Sequence, residues 1–405
     1  MRFRPATPCF RLPDPSFKPM ESLTLFWQAT GISHLTWGAL LMLGVGGVVL
    51  AIAVIREFEP LFLFAMGFAI ILTHLPGSPM ANPGGLFSLL YDLGVRSALL
   101  PALLFLGLGI LADFGPLIAM PSLLLVGAVA QLGVFCTLLA ALAMNNLFGL
   151  PFALTDAAAI GMIGGANPAN VIFFADRLAP DLLGSIVVAL YAGTALLPRL
   201  QPFIAGLLTT RQERQVVMPP PRPVSRWERM LFPLVLLLPC LLFLPAVAPL
   251  LGLLAFGNLL KESGLLARIS VGLNGPARVG FLPMVTLMLG LAVGGRFSAE
   301  GFLSWATLGI LCLALLAFVL ASVLGVLAGK WLYRVGNGLV NPLVGVAGVA
   351  VVPLTARMAG RLGMEESPDG THSADRLLGY AVGVNMAGVI GSVVTAGILL
   401  AVLGG

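Results

Sequence analysis

The residues with the most chemical promise in this chain are amides and hydroxyls set among glycine and proline. Asn167 and Asn170 fall in IGMIGGANPANVIFF (160–174), and Asn385 and Ser392 fall in GVNMAGVIGS (383–392). Both segments are otherwise apolar. Pro168 removes a backbone donor and the Gly164–Gly165 pair permits non-helical dihedrals, so a continuous helix is not expected through the first. Unwound backbone is tolerated inside a membrane only where it is buried in protein or lines a cavity. Amide and hydroxyl oxygens beside such breaks, with the carbonyls they free, could coordinate a hard cation such as Na⁺. The same residues also admit a packing role, small residues letting helices approach and asparagines bonding between them.

Other polar residues read more plainly. Asp113 precedes a Phe-Gly-Pro turn and Asp156 opens a span, so helix capping is the first reading of both. Arg177, Asp181, Arg199, Arg296, Arg357 and Arg361 stand near predicted span ends, where snorkelling and topology account for them. Lys261 and Glu262 read as a solvated loop edge, and Tyr191 and Tyr380 as packing or interfacial residues able to donate into a cavity. No span holds a central carboxylate, which leaves an ordinary proton relay little to work with. Cys9, Cys136, Cys240 and Cys312 form no CxxC pair, and His34, His74 and His372 form no HExxH; no Walker-type phosphate loop occurs either. A disulfide scaffold, metal hydrolysis and nucleotide chemistry are therefore excluded as readings.

The elements that must position these residues are membrane helices. Of the 405 residues 59% are hydrophobic and 10% charged, against about 25% charged in a soluble domain. Apolar runs long enough to cross a hydrocarbon core of about 30 Å recur along the chain. Spans are expected near 35–55, 60–75, 97–112, 121–148, 154–175 and 182–207, and again near 230–247, 249–260, 280–295, 302–329, 340–357 and 377–403. The fold class is all-α and polytopic, about 10–12 segments in two related halves with discontinuous helices meeting at Asn167 and Asn385. Residues 1–19 read as a disordered basic tail or a mis-assigned start, with Met20 the alternative initiator, and 20–33 could lie in the membrane interface. The halves are 20–207 and 230–405. Between them 208–229, with five arginines and a proline run, reads as a cytoplasmic linker. LGLGILADF (106–114) matches LGLAVGGRF (289–297), GMIGGA (161–166) lies opposite GVAGVA (345–350), and LLGSIVVALYAG (182–193) matches LLGYAVGVNMAG (377–388). The register shift grows by roughly the polar insertion 365–375, the pattern of an internal duplication.

EFEPLFLFAMGFA (57–69), ADFGPL (112–117), IGMIGGANPANVIFF, LAPDLLGSIVVALYAG (178–193), LQPFIAGLLTTRQER (200–214), APLLGLLAFGNLLKESG (248–264), LGLAVG (289–294), NPLVGVAGVAVVPLTAR (341–357) and NMAGVIGS (385–392) occur in order. Together they resemble the β subunit of the sodium-pumping decarboxylases that act on oxaloacetate, methylmalonyl-CoA, glutaconyl-CoA and malonate. The resemblance runs from about Met20 to the C-terminus, and the family begins with a similar MESL segment.

The resemblance implies a multi-pass protein of the bacterial inner membrane that decarboxylates carboxybiotin, exports Na⁺ and takes up a proton. The chain has no biotinylation-type MKM sequence, so the carboxybiotin would come from a separate biotin-carrying α subunit. A small γ membrane subunit and a homo-oligomeric β are also implied, with no nucleic-acid partner. By the same resemblance Asn385, Ser392 and Tyr191 are the catalytic candidates, and Asn167, Asn170, Asn385 and Ser392 the ion-binding ones. The chain departs from the family at polar positions. GGADGPT is here GGANPAN, so Asn167 replaces the aspartate thought to bind Na⁺. A second tyrosine of the family is Gly193, and three of its serines are Ala292, Val346 and Ala350; Asp113, Tyr191, Asn258, Glu262, Asn385 and Ser392 are kept. Removing a charge and three hydroxyls should weaken Na⁺ binding. A stand-alone secondary transporter of an ion or carboxylate, and a non-pumping membrane scaffold, therefore remain open beside the decarboxylase reading.

Overall fold

A computed structural model of the chain describes residues 27–28, 30–56, 59–150, 152–265, 276–366 and 371–404. The basic tail 1–19, Met20 and the middle of the 365–375 insertion lie outside the described residues. Among the described residues there is no strand, and helices account for the architecture. They are α1 (Trp37–Arg56), α2 (Pro60–His74), α3 (Leu99–Leu111), α4 (Leu123–Ala130), α5 (Leu132–Phe148), α6 (Leu154–Gly161), α7 (Pro168–Leu178), α8 (Leu183–Leu208), α9 (Arg226–Phe243), α10 (Ala248–Glu262), α11 (Pro276–Gly294), α12 (Trp305–Val335), α13 (Leu354–Glu366) and α14 (Thr371–Leu403), with short turns of helix between.

Among the described residues five stretches are long and apolar enough to cross a membrane: Trp37–Ile55, Leu123–Phe148, Pro180–Leu208, Trp305–Val335 and Asp375–Leu403. A sixth is the pair Leu86–Arg96 and α3, bent by 58°. The other apolar segments expected from the sequence include shorter helices such as α2, whose 15 residues rise only about 22 Å.

The helices sort into two groups. In one, α2 packs on α1 and α11, and α3 packs on α10. In the other, α12 lies against α5, α8 and the segment Pro342–Gly348, while α14 lies against α4 and α13. The second group contains the same succession twice: a long apolar stretch (α4–α5, then α12), a broken helix, and another long helix (α8, then α14).

The first break follows from local sequence, and the second also needs distant partners. After α6 the chain tightens into a 3₁₀ turn, Met162–Gly165, passes through left-handed Ala166 (φ 55°) and restarts as α7. Pro168 occupies the first position of α7, where its missing N–H costs nothing, and Arg177 stands in the last turn. The second break is a 3₁₀ segment, Pro342–Gly348, followed by extended backbone up to α13. It runs so close to α12 that a side chain on Gly345 would strike the backbone of Gly325.

That second break corrects the expectation that the chain is discontinuous at Asn385. GVNMAGVIGS lies inside the uninterrupted α14, because isolated glycines without a proline leave every helical hydrogen bond available. The break instead takes Pro342 and the run GVAGVA, within the span expected at 340–357.

The linker is ordered and stitched largely to the C-terminal part of the chain. Asn341 Nδ2 donates to the carbonyls of Arg214 (2.7 Å) and Val216 (3.0 Å). Lys330 Nζ donates to the Leu208 carbonyl (2.9 Å) and pairs with Glu213 at 3.3 Å. Arg214 pairs with Glu366 at 3.1 Å, and Tyr380 donates to the Pro219 carbonyl (3.1 Å). Burial penalises the Glu213 carboxylate, but hydrogen bonds from Thr210 and Lys330 outweigh it and hold its pKa below the ordinary value.

Candidate functional site

The four ion-site candidates form two groups rather than one. Asn167 is the N-cap of α7, and its side chain accepts from the Asn170 backbone N–H at 3.1 Å. Asn170 Nδ2 donates in turn to Ser392 Oγ at 2.8 Å, so the first break is tied to α14. Asn385 stands seven residues, about 10 Å along the helix, from Ser392. Its amide is committed elsewhere: Nδ2 lies 3.1 Å from the Ala347 carbonyl, 3.0 Å from that of Val349 and 2.9 Å from Thr355 Oγ1.

Asn385 belongs to a set of donors that satisfies the carbonyls of the second break. Gln201 Nε2 donates to Val346 O (3.0 Å), and Gln131 Nε2 reaches Gly348 O (3.4 Å). Thr355 Oγ1 is 2.7 Å from Val349 O and 3.2 Å from Val351 O. Non-helical backbone is held in a dry interior by side chains that replace the lost helical donors.

The first break is left differently. Asn170 Oδ1 and Gln131 Oε1 are both buried without a hydrogen-bond partner, where the second break has the single unpartnered Gln201 Oε1 beside it among the described residues. Gln131 Oε1 and Ser392 Oγ both lie within 3.4 Å of the point that a Cβ on Gly165 would occupy. The absence of a side chain on Gly165 thus lets oxygens from α14 and from the turn between α4 and α5 come close to the first break. Asn170, hydrogen-bonded to Ser392, adds a further amide oxygen from α7. Unpartnered acceptors in a buried site cost free energy, and a hard cation is the ligand that neutral oxygens of this kind suit. The fit is to a cation held by neutral oxygens, with no carboxylate in the group.

Beside these groups lies a cavity of about 130 Å³ on the seam between the two helix groups. Asn167 and Pro168 line one wall and Ala350–Val352 another, with leucines of α3 and α11, and Glu59 and Tyr191, completing it. Tyr191 is buried and stacked on Phe62, ring centroids 4.6 Å apart. At Gly193 the space a side chain would take is filled by the Phe318 ring.

The sequence reading missed Gln131, Gln201, Thr355 and Glu59. A lone amide inside an apolar span was signal enough for Gln131 and Gln201, since buried polar groups in membranes need partners. Asp113 and Asp156 are caps as expected: Asp113 accepts from the Gly115 N–H (2.9 Å), Asp156 from that of Ala153 (3.0 Å). Lys261 and Glu262 are not a solvated loop edge. Lys261 Nζ donates to the Ala112 carbonyl at the end of α3 (2.6 Å), and Glu262 pairs with Arg229 at 3.2 Å.

Comparison with known proteins decides the family. The profile of the Na⁺-transporting oxaloacetate decarboxylase beta subunit matches residues 38–403. The chain belongs to this family. Among its relatives, oxaloacetate decarboxylase beta chain 2 of Salmonella typhi is 38% identical, the match covering 94% of this chain and 99% of the relative. Glutaconyl-CoA decarboxylase subunit beta of Acidaminococcus fermentans is 40% identical over 95% of this chain and 98% of its own length. Methylmalonyl-CoA decarboxylase subunit beta of Propionigenium modestum is 39% identical over 95% and 100%. As a decarboxylase β subunit the chain is a membrane protein that works with other subunits. The helices α7 and α14, which carry the Asn170–Ser392 bond, lie within the matched range.

Proposed function

We propose that this chain is the membrane subunit of a biotin-dependent decarboxylase, releasing CO₂ from carboxybiotin and coupling that step to Na⁺ export. One observation carries the ion half of the reading: the unpartnered oxygens of Gln131 and Asn170 lie with Ser392 Oγ at the first break, close to Gly165. Membership of the β-subunit family carries the decarboxylase half.

In this reading Na⁺ is cargo, bound by neutral oxygens at the first break. Asn385 holds the second break in shape, Asn167 sets the start of α7, and Tyr191 closes the seam cavity. Carboxybiotin arrives on a separate carrier subunit, because the chain has no biotinylation sequence of its own. Coupling requires that ion occupancy change the energy of the decarboxylating state, and α14 offers the link, since it touches both breaks through Ser392 and Asn385. We read the repeated successions as duplicated halves, 20–207 and 230–405. The five arginines of 208–229 put the linker on the cytoplasmic side of the inner membrane. The family resemblance supports a small γ subunit and a homo-oligomeric β.

Sodium titration of thermal stability tests the reading, at constant ionic strength with K⁺ as replacement. At about 100 times its dissociation constant Na⁺ should stabilise the protein by about 2.7 kcal/mol, and Ser392→Ala should abolish the response. A wild-type protein stabilised equally by Na⁺ and K⁺ would falsify the ion site.

A further inference from the structure

Between α4 and α12 the surface holds a groove that neither the breaks nor the seam cavity use. It encloses about 360 Å³ and is walled by Leu125, Val126 and Val129 on one side and by Leu327, Ala328 and Trp331 on the other. At its inner end the two helices cross, the Ala130 Cβ lying 3.6 Å from the point that a Cβ on Gly325 would occupy. From that crossing the groove opens toward the start of α4 and the end of α12.

The chemistry changes along it. Counted from the crossing, Ser122 lies roughly 12 Å back along α4 and Arg334 roughly 13 Å on along α12, so the two reach the same level. That level is the side of the membrane where Lys330 holds the linker. Leu327, Trp331 and Arg334 share one helical face by their spacing, and Ser122 shares one with Leu125, Val126 and Val129. The Ser122 hydroxyl caps nothing, although it stands at the helix start. Neither α4 nor α12 carries a carboxylate. Of the two cations on α12, Lys330 is spent on the Leu208 carbonyl and Glu213. Arg334 is exposed and forms no ion pair among the described residues. Beside it Trp331 is 51% exposed, the amphipathic ring that membrane proteins place at headgroup depth.

We propose that this groove binds an anionic phospholipid, with one acyl chain in the apolar slot and the headgroup phosphate accepting from the Arg334 guanidinium and the Ser122 hydroxyl. Charge complementarity commits the site to that occupant. A guanidinium without a carboxylate stands at the headgroup end of an apolar slot, the arrangement by which basic pockets between membrane helices take up anionic headgroups. A lipid chain seated there braces α4 against α12 next to Ala130, whose Cβ also touches the second break at Gly348. The proposal stands apart from the sodium reading.

The test places the full-length protein in bilayers of phosphatidylcholine and phosphatidylglycerol, with brominated chains on one lipid or the other, and reads quenching of tryptophan fluorescence. The chain has five tryptophans, so the Trp331 signal is the difference between wild type and Trp331→Phe. Half-quenching of that signal should need about fivefold less brominated phosphatidylglycerol than brominated phosphatidylcholine. Arg334→Gln should bring the two curves together, and Arg334→Lys should keep most of the preference. Ala328→Phe, which fills the slot at an exposed groove, should weaken quenching by both lipids. Equal quenching by the two lipids in the wild type, or an unchanged preference in Arg334→Gln, overturns the proposal. So does a Trp331 shielded from both lipids, the result expected if a second copy of the chain covers the groove.

Discussion

The two helix breaks use the same device and are finished in opposite ways. At the second, each carbonyl from Val346 to Val349, and Val351, has a donor drawn from Gln201, Asn385, Gln131 or Thr355. At the first, Gln131 and Asn170 hold buried oxygens with nothing to accept from. The difference separates structure from function among residues of one chemical type. An asparagine whose donors close a gap in backbone hydrogen bonding maintains the fold, and a left-over acceptor alone is not a ligand site, since Gln201 and Asn258 also keep unpartnered oxygens. At the first break two such oxygens belong to side chains that also flank Ser392.

The largest effect expected from this contrast is that of Asn385→Ala. It strips the side-chain donor from Ala347 O and leaves Val349 O to Thr355 Oγ1 and the Val351 backbone N–H, so thermal unfolding in K⁺ should show a loss of about 3 kcal/mol, with transport lost as well. Ser392→Ala should behave in the opposite sense. Stability in K⁺ should fall by about 1 kcal/mol, while the Na⁺ response of about 2.7 kcal/mol disappears. If Ser392→Ala cost more in K⁺ than Asn385→Ala, the contrast between the breaks would be wrong. Thr355→Val keeps the shape and removes one donor, and should cost about 1–2 kcal/mol with the Na⁺ response unchanged.

Asn167 sharpens the contrast in smaller steps. Asn167→Ala removes the cap of α7 and should cost about 1 kcal/mol. Asn167→Asp keeps the cap, adds charge at a helix N-terminus, and should lower the Na⁺ concentration for half-stabilisation. The smallest effect lies outside both breaks. The Arg222 hydrogen bond and then those from Ser225 pull the Glu228 carboxyl from 4.5 down to about 2. A depressed carboxyl contributes stability above its unfolded pKa and loses it as pH falls through the folded one. Glu228→Gln should therefore unfold slightly earlier than wild type at neutral pH, and the gap should close between about pH 4.5 and about pH 2.

How far the sequence was legible follows from the same residues. Gly164, Gly165 and Pro168 announced the first break, and Asn167 and Asn170 were picked out by lying beside it. The second break was harder to read. NPLVGVAGVAVVP passes for an apolar span, since its departure from helix depends on donors 145 and 217 residues earlier in the chain and on α14. GVNMAGVIGS misled for the complementary reason, because its glycines make room for neighbouring backbone without altering the helix. Gln131 was hidden within a stretch read as one span over 121–148, where the structure has a turn between α4 and α5. Asn385 and Ser392 share a helical face by their spacing, but spacing says nothing of which partner waits at each level.

The stitching of the linker bears on the order in which the protein can be made. Glu213, Arg214 and the backbone at Leu208 and Val216 find partners in Lys330, Asn341 and Glu366, which leave the ribosome more than a hundred codons later. Until α12 and the second break have been synthesised and inserted, the linker has none of these anchors. Nascent chains halted before Lys330 should be cut in 208–229 by a protease with access to the linker, and chains halted well beyond Glu366 should resist it.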